Sequence, residues 1–242
     1  MKKLSVIIPV FNEQNTIYDV LLKVSEVELQ NGIEKEIIIV NDMSTDTSRD
    51  EIERYLKAYP NFSIRLINHD INIGKGGALQ TGIRYAEGDY TIIQDADLEL
   101  DPKEYNKLLD PVLNEGCDIV YGSRFLNKKM QDTSLSQLAN RFLTWFSNFV
   151  FNLRITDMET CYKLVPTKVF QSLILVEKRF GFEPEITAKL AKIKTLKWKE
   201  VPITYMPRTN IEGKKIGWKD GFRAIYCIVK YGWLTSLKTS IK

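Results

Sequence analysis

Apolar runs that favour strands alternate with helical patterns through the first half of the chain. The runs lie at 4–10, 36–40, 62–68, 90–94 and 117–122. Several are apolar at consecutive positions, which is typical of strands buried on both faces. Helical patterns follow at about 13–30, at 46–58, after the glycines of 74–77, and from Pro102 onward. This alternation predicts an α/β protein whose sheet carries helices on both faces.

The length and composition favour one domain that spans residues 1–242. The chain is 44% apolar, which is ample material for a core. Its three cysteines are far apart, so we expect no disulfide framework and a reducing compartment such as the cytoplasm. The N-terminal apolar run contains Pro9 and is better interpreted as a buried strand than as a signal peptide. No run approaches the ~20 apolar residues needed to span a bilayer, which predicts a protein that is soluble or lies on a membrane surface.

Charge is distributed unevenly along the chain. Residues 1–120 hold 12 Lys/Arg and 22 Asp/Glu, whereas residues 121–242 hold 22 Lys/Arg and 9 Asp/Glu. Two differently solvated surfaces would explain this. An acidic half that holds a metal, joined to a basic half that meets an anionic partner, would explain it equally well.

Polar residues follow each predicted strand, at the edge where ligands bind in such sheets. In strand order they are Pro9, Phe11, Asn12 and Glu13; Asn41 and Asp42; Asn72, Gly74, Lys75 and Gly76; Asp95, Ala96 and Asp97; and Gly122, Ser123 and Arg124. The sequence therefore predicts a polar site along one edge of the sheet.

The densest part of this edge is the carboxylate series Asp95, Asp97 and Glu99. Such hard oxygen ligands suit Mg²⁺ or Mn²⁺, although a solvated loop would also fit. A calcium EF-hand does not fit, because Leu100 and Asn106 stand where that loop needs glycine and glutamate. The nearby stretch NIGKGGALQTGI offers backbone N–H groups suited to phosphate. It matches neither a P-loop nor a dinucleotide fingerprint, and a plain glycine turn remains an alternative.

The stretches SVIIPVFNE, VNDMSTDTS, NIGKGGALQTGI, QDADLELDP and GSRF, in this order, resemble family 2 glycosyltransferases with the GT-A fold. Within the family, DMETCYKLVP, FGFEPEITAKLAK and PRTNIEGKKIGWKDGFRA are most similar to dolichyl-phosphate mannose synthases and bacterial polyprenyl-phosphate glycosyltransferases. The resemblance implies a Rossmann-like mixed sheet flanked by helices. It also implies a nucleotide-sugar-binding half at 1–124 and an acceptor half at 125–242 with amphipathic C-terminal helices.

The resemblance implies a UDP- or GDP-sugar donor and assigns residues to it. Pro9, Phe11 and Glu13 would line the nucleotide pocket, Asp42 would contact the base, and Lys75 would lie near the phosphates. Ala96 would lie close to the nucleotide. Asp95 and Asp97 would hold the cation, Asp97 would also serve catalysis, and Glu99 would be a further metal neighbour.

For the acceptor, the resemblance implies attack with inversion at the anomeric carbon. A polyprenyl phosphate needs no general base and would be held by Arg124 and Arg208, with Lys214 and Lys215 following. A hydroxyl acceptor needs a carboxylate base. Asp157 and Glu159 are the candidates, with Glu183 and Glu185 weaker ones. Cys161 and Lys163 depart from the glycine and arginine that the lipid-acceptor branch carries.

Two segments bear on a membrane partner. Residues 138–153 contain five aromatic side chains and one charge, and residues 217–238 are amphipathic with a basic face. Core packing would explain them, and so would peripheral contact with the cytoplasmic face of a membrane. We expect no nucleic-acid partner.

Other functions remain as alternatives. The first is a family 2 enzyme that extends a glycan hydroxyl at the cell surface, and another is a non-catalytic sugar-nucleotide-binding module. A haloacid-dehalogenase-type phosphatase would need its D-x-D on an early strand, and a sugar nucleotidyltransferase would need a glycine-rich loop after the first strand. Neither feature is present.

Overall fold

The computed structural model describes residues 1–126, 135–207 and 218–236. Within these ranges the chain forms seven strands and eight α-helices. In chain order they are β1 (Lys3–Val10), α1 (Ile17–Glu26), β2 (Glu34–Asn41), α2 (Ser48–Ala58), β3 (Ile64–Asn68), α3 (Lys75–Tyr85), β4 (Tyr90–Ile93), α4 (Tyr105–Asn114), β5 (Ile119–Ser123), α5 (Leu135–Phe151), β6 (Lys163–Pro166), α6 (Thr167–Ser172), α7 (Phe182–Ala191), β7 (Trp198–Pro202) and α8 (Trp218–Val229). A π-helical turn, Lys230–Leu234, continues from α8.

The seven strands form one mixed sheet in the order β3-β2-β1-β4-β6-β5-β7. Strand β6 runs antiparallel to both of its neighbours, β4 and β5. All other paired strands are parallel. The predicted α/β class and the mixed sheet flanked by helices are confirmed.

The consecutive apolar residues of the central strands bury both faces of the sheet. Alternate side chains of a strand point to opposite faces. Ile7 of β1 therefore packs into one core with Ala78 and Leu79 of α3. Ile8 packs on the other face with Leu21 of α1. Helices cover each face, so the strand ends are the part of the sheet open to a ligand.

Two strands escape the sequence analysis because their composition conceals them. β6 has four residues, begins with Lys163 and ends with Pro166. β7 carries Lys199 and Glu200 and ends with Pro202, which suits an edge strand. The division at residue 124 into donor and acceptor halves stays a prediction, although β6 from the second half pairs with β4 of the first.

Helix bounds differ from the prediction mainly near the N-terminus. The helix expected from about residue 13 to 30 is α1, which begins at Ile17 and ends at Glu26. Asn12, at φ 53°, turns the chain before it. The apolar segment predicted at 138–153 lies mostly in α5, and the described part of 217–238 forms α8 and the turn that follows. Within the described ranges, no helix is both long and apolar enough to cross a membrane.

Candidate active site

The loop after β1 connects the other strand ends at the polar edge. The backbone N–H of Glu13 donates to the hydroxyl of Ser48 at 2.7 Å. The hydroxyl of Thr16 donates to the carbonyl of Ala96 at 2.8 Å, between the two aspartates of D-x-D. Of the residues predicted to line the nucleotide pocket, Phe11 and Glu13 lie in this loop and Pro9 lies near the end of β1, and all three are partly exposed. The edge is therefore preassembled from the ends of β1, β2 and β4.

Two residues without a glycine's freedom adopt left-handed backbone at this edge. Asn12 has φ 53° after β1, and Met43 has φ 58° after β2. Such conformations cost about 1 kcal/mol or more each. They persist because side chains fix the turns: Asn12 Oδ1 accepts from the N–H of Thr45 at 2.8 Å, and Asn41 Oδ1 accepts from that of Ser44 at 3.1 Å. Strain of this kind concentrates at functional sites.

Asp95 and Asp97 follow β4, where a lysine offsets part of their charge. Asp95 Oδ1 lies 2.6 Å from the ammonium of Lys75, and its Oδ2 accepts from the Cys161 thiol at 2.5 Å. Asp97 Oδ1 accepts from the N–H of Glu99 at 3.1 Å. Burial opposes the charge of Lys75, but the Asp95 carboxylate outweighs it and raises the lysine's pKa above its usual value. Lys75 thus belongs to the D-x-D site.

The donor set suits a divalent cation that also binds substrate phosphates. Two carboxylates on one strand end match the few protein ligands that Mg²⁺ and Mn²⁺ require. Among the described residues, no three His, Cys, Asp or Glu side chains form a group that could hold a metal ion. Asp95, Asp97 and Glu99 therefore do not form a ready three-carboxylate cage in the described part of the chain, and metal binding by Glu99 stays a prediction.

The glycines at the start of α3, Gly74, Gly76 and Gly77, serve close packing, and we call residues 74–77 the glycine turn. Gly74 has φ 86°, and a Cβ there would lie 2.5 Å from the carbonyl oxygen of Lys178. A Cβ at Gly76 would lie 2.4 Å from the carbonyl oxygen of Glu177. The N–H of Gly77 donates to the carbonyl of Lys178 at 3.1 Å. The prediction of a phosphate-suited turn stays a prediction, and the packing adds a structural reason for the glycines.

Gly76→Ala should destabilise the protein by about 1–3 kcal/mol, because the added methyl overlaps a backbone carbonyl that cannot move alone. Gly221→Ala is the matched control. Nothing lies within 4 Å of a Cβ at Gly221, so this change inside α8 should be neutral or stabilise by up to about 1 kcal/mol. Urea unfolding of both variants measures the difference. Equal stability of the two would contradict the packing account.

Asp42 is almost completely buried after β2, with 2% of its surface exposed. Its carboxylate accepts hydrogen bonds from the N–H groups of Ile73 at 2.9 Å and Gly74 at 2.7 Å. His69 Nδ1 lies 2.8 Å from the same carboxylate, and its Nε2 lies 3.0 Å from the Thr81 hydroxyl. Contact of Asp42 with a nucleotide base stays a prediction. These hydrogen bonds show that Asp42 shapes the turn before Lys75. The single histidine, His69, supports the Asp42 carboxylate, a role that the sequence analysis did not anticipate.

Arg124 and Asp157 form a bidentate ion pair at the end of β5. The guanidinium donates from Nε to Oδ2 at 2.7 Å and from Nη2 to Oδ1 at 2.8 Å. The N–H of Arg124 also donates to Oδ2 at 3.0 Å. Asp157 is fully buried. This carboxylate holds Arg124 in place, so little of it is accessible to an acceptor hydroxyl. A role of Asp157 as a general base stays a prediction.

Tyr205 connects this ion pair to the D-x-D loop and was missed by sequence reasoning. The Arg124 guanidinium lies 5.2 Å from the centre of its ring. Burial and the adjacent Glu99 carboxylate raise the pKa of the Tyr205 hydroxyl. The N–H of Met206 donates to the carbonyl of Glu99 at 2.8 Å. Of the cations predicted for the acceptor, Arg124 therefore lies near the end of β4. Arg208, Lys214 and Lys215 lie outside the described residues.

A buried charged cluster lies beside Asp157. The fully buried Lys163 ammonium pairs with Glu183 and donates to the carbonyl of Thr160. One carboxyl oxygen of Glu159 and one of Glu183 are buried without a hydrogen-bond partner among the described residues. Burial, followed by repulsion from Glu183, raises the pKa of Glu159 to about 7. Glu159 is the carboxyl at this edge best suited to exchange a proton near neutral pH.

The remaining weak candidate for a general base, Glu185, has a structural role. Its fully buried carboxylate accepts hydrogen bonds from the N–H groups of Val176 and Glu177 and pairs with Lys189. These contacts fix the segment that packs on the glycine turn.

Glu159→Gln should raise the melting temperature more at pH 8 than at pH 5. The folded pKa of about 7 exceeds the ordinary value near 4.5, so the folded state binds more protons between those values. Stability therefore falls as pH rises through this window and stays lower above it. Glutamine removes that loss. Glu53→Gln, at a partly exposed position of α2, is the control, and its melting temperatures at the two pH values give the baseline for removing a carboxyl. A pH-independent difference between wild type and Glu159→Gln would contradict the raised pKa.

Solved structures of glucosyl-3-phosphoglycerate synthase from Mycobacterium tuberculosis are similar to this chain. The complex with Mn²⁺, UDP and phosphoglyceric acid has a TM-score of 0.70 at 16% identity, over 97% of this chain and 80% of that one. The complex with Mg²⁺ and UDP gives 0.68 at 16% identity, over 96% and 79%. The likeness establishes the fold. The order of the mixed sheet and the position of D-x-D at its polar edge define the fold as GT-A.

The chain belongs to glycosyl transferase family 2, whose family model matches residues 5–173. Dolichyl-phosphate beta-glucosyltransferases of Trichomonas vaginalis and Dictyostelium discoideum are each 30% identical over 232 residues, covering 88% of this chain and 68% of the relative. The undecaprenyl-phosphate 4-deoxy-4-formamido-L-arabinose transferase of Edwardsiella ictaluri is 26% identical over 210 residues, covering 87% of this chain and 62% of its own length. The predicted family and the predicted glycosyltransferase class are confirmed.

Proposed function

We propose that this glycosyltransferase moves a sugar, with inversion, from a UDP- or GDP-sugar to a polyprenyl phosphate at a membrane surface. The observation that carries the proposal is the guanidinium of Arg124, fixed by a buried carboxylate at the D-x-D edge. An immobilised guanidinium gives charge-assisted, bidentate hydrogen bonds to phosphate. Relatives of the chain are named as dolichyl-phosphate and undecaprenyl-phosphate transferases, which supports the same acceptor class.

Donor binding is assigned to the turns after β1, β2 and β3. Pro9, Phe11 and Glu13 would line the nucleotide pocket, with Ala96 beside them. Asp42 would contribute directly, through a base N–H, or through the turn that it shapes before Lys75. The Lys75 ammonium would then meet the pyrophosphate of the donor, and substrate binding would draw it partly away from Asp95.

Asp95 and Asp97 would hold Mg²⁺ or Mn²⁺. When bound, the cation would neutralise part of the charge that develops on the leaving nucleoside diphosphate. Lys75 adds a second positive charge on the same side of the site. The acceptor phosphate is itself an anion, so its attack needs no carboxylate to remove a proton. This accords with Asp157, whose two oxygens are already bound to Arg124.

The membrane surface is assigned to α5 and α8, which pack against each other. Their large exposed side chains, together with those of the turn after α8, are Leu138, Phe142, Trp145, Phe149, Phe222, Tyr226, Trp233 and Leu234. We call this set the aromatic face. Residues 135–154 and 218–236 hold five Lys/Arg and one Asp, which complements an anionic bilayer. Each basic residue near such a surface contributes roughly 1 kcal/mol, so peripheral binding without a spanning helix is feasible.

The proposed location is the cytoplasmic face of the membrane. Cys117, Cys161 and Cys227 are all unpaired thiols, which suits a reducing compartment.

A second candidate function is transfer to a glycan hydroxyl. The raised pKa of Glu159, about 7, favours it, because that carboxyl would be a general base poised near neutral pH.

A product assay separates the two functions. The purified chain would be incubated with a panel of UDP- and GDP-sugars and Mn²⁺, with either a short polyprenyl phosphate or an oligosaccharide as acceptor. Lipid-linked product supports the proposal. Efficient transfer to the oligosaccharide alone, with a rate that rises with pH through about 7 and is lost in Glu159→Gln, would replace it with the second candidate.

Flotation with vesicles tests the membrane surface independently of the chemistry. Vesicles of phosphatidylcholine with phosphatidylglycerol should carry the protein upward, and pure phosphatidylcholine vesicles should carry less. Trp145→Ser and Phe149→Ser, on exposed positions of α5, should reduce flotation without changing the melting temperature. No flotation on either vesicle would overturn peripheral binding.

A further inference from the structure

Three groups from the C-terminal helical segment converge on one buried carboxylate, that of Glu177. Arg223 donates from Nε to Oε2 at 2.9 Å and from Nη2 to Oε1 at 2.9 Å. The Tyr231 hydroxyl donates to Oε1 at 2.7 Å, and the Lys230 ammonium lies 3.6 Å from it. Glu177 is 5% exposed. This carboxylate therefore anchors α8 and the turn after it to the segment between α6 and α7.

The backbone of the same segment supports the glycine turn, residues 74–77, which carries Lys75. The carbonyl of Glu177 accepts from the side-chain amide of Gln80 at 2.9 Å. It also lies where a Cβ at Gly76 would need to be. The next carbonyl, that of Lys178, accepts from the N–H of Gly77. A displacement of residues 177–178 would therefore move the first turn of α3.

The first turn of α3 carries Lys75, whose ammonium lies 2.6 Å from Asp95. The contacts thus run without a gap from α8 to Glu177, from Glu177 to the glycine turn, and from Lys75 to D-x-D. Every step is a hydrogen bond, an ion pair or a close backbone contact. Packed interfaces of this kind have discrete arrangements and do not deform continuously.

The outer end of this chain of contacts faces the proposed membrane surface. Arg223 is half-exposed and lies over the ring of Tyr226, 4.8 Å from its centre. Tyr226 belongs to the aromatic face, as does Trp233 in the turn that supplies Tyr231. The aromatic face is formed by α5 and the α8 segment together, with the rings of Phe149 and Trp233 in contact. Only an attached α8 presents it as one surface, so a bilayer that covers it favours the attached arrangement.

We propose that Glu177 links docking of the aromatic face on an anionic bilayer to nucleotide binding at the glycine turn that carries Lys75, so that each binding event strengthens the other. The inference rests on the proposed function for its lipid partner, whereas the link from α8 to Lys75 rests on the contacts alone. Glu177 is a positioning residue in this scheme, because it acts through the segment that holds the glycine turn. An attached α8 holds residues 177–178 in place and thereby keeps Lys75 directed at the donor phosphates.

Calorimetric titration of UDP and of GDP, each with Mn²⁺, tests the link. The nucleotide that binds should do so about fivefold or more tightly when phosphatidylcholine–phosphatidylglycerol vesicles are present, within the usual range of coupling between sites. By thermodynamic reciprocity, that nucleotide should strengthen vesicle binding by the same factor. In Glu177→Gln the protein should still bind both partners, but the factor should fall towards one.

Glu115→Gln is the matched control, because it neutralises an exposed carboxylate whose partner, Lys199, is on β7. It should retain the wild-type factor. Without lipid, Glu177→Gln and Arg223→Met should both weaken nucleotide binding, while melting curves establish that each variant is folded. Equal nucleotide affinity for wild type and Glu177→Gln, or an unchanged factor in Glu177→Gln, would overturn the link. Absent flotation with weakened nucleotide binding in Glu177→Gln would instead overturn the membrane proposal and leave the Glu177 link supported.

Discussion

Asp97→Ala is expected to abolish sugar transfer, by about 10³-fold or more, in a protein that remains folded. The carboxylate lies at a strand end and is partly exposed, so its removal leaves no cavity in the core. If Asp97 holds the cation on the donor pyrophosphate, its loss removes charge stabilisation where the leaving group develops charge, a term of this size in enzymes. Transfer rates with saturating Mn²⁺, together with a thermal melt, measure the two parts of the prediction.

Asp101→Asn is the control for Asp97→Ala. Asp101 follows in the same acidic stretch, but its Oδ1 accepts the N–H of Lys103, and asparagine can retain that bond. Transfer by this variant should stay within a few-fold of wild type. Binding of Mn²⁺ in the presence of UDP or GDP gives a readout besides activity, and Asp97→Ala should lose it. Full transfer by Asp97→Ala in the presence of EDTA would refute the metal assignment.

The second large effect should come from breaking the buried ion pair of Arg124 and Asp157. Asp157→Ala leaves a guanidinium with little solvent access and no counter-charge, which typically costs 3–5 kcal/mol. Because the Arg124 side chain keeps some exposure, we expect about 3 kcal/mol by urea unfolding. Glu115→Ala breaks the exposed pair with Lys199 and should cost far less, because solvent screens such pairs.

A double variant separates stability from function at this pair. Arg124→Met with Asp157→Leu removes both charges and should recover much of the stability lost in Asp157→Ala, since a paired replacement by apolar groups is often neutral. It should not recover transfer to polyprenyl phosphate, because the phosphate-binding guanidinium is gone. If Asp157→Ala keeps wild-type stability and loses only transfer to hydroxyl acceptors, Asp157 is a general base, as the sequence analysis first suggested.

The fold could be predicted from sequence as far as local patterns carry it. β1 and β2 are apolar at consecutive positions, and such runs have few structural alternatives. β6 could not be predicted, because four residues that begin with Lys163 carry no strand signal. Lys163 can be buried because its ammonium pairs with the carboxylate of Glu183, which lies 20 residues further along the chain. The position of β6 between β4 and β5 is a tertiary property, set by pairing across the sheet.

The same limit applies to the site. D-x-D and the turns after the first three strands are contiguous motifs, so the sequence places Asp95, Asp97 and Lys75 at one edge. The partners of those residues come from distant segments. Tyr205 meets Arg124 across 81 positions, and Glu177 meets Arg223 across 46. Nothing in the local sequence distinguishes such a tyrosine or glutamate from one exposed to solvent.

The place of β6 between β4 and β5 has a consequence for how the chain folds as it is synthesised. When Ser123 at the end of β5 has been made, the strand that must lie between β4 and β5 does not yet exist. The ribosome has to add roughly 40 more residues, which takes about 2–8 s at 5–20 residues per second. During that interval β4 presents an unpaired, apolar edge of the kind that recruits other chains. A chaperone that shields nascent strand edges should therefore raise the yield of folded protein most when added during translation, and little when added after release.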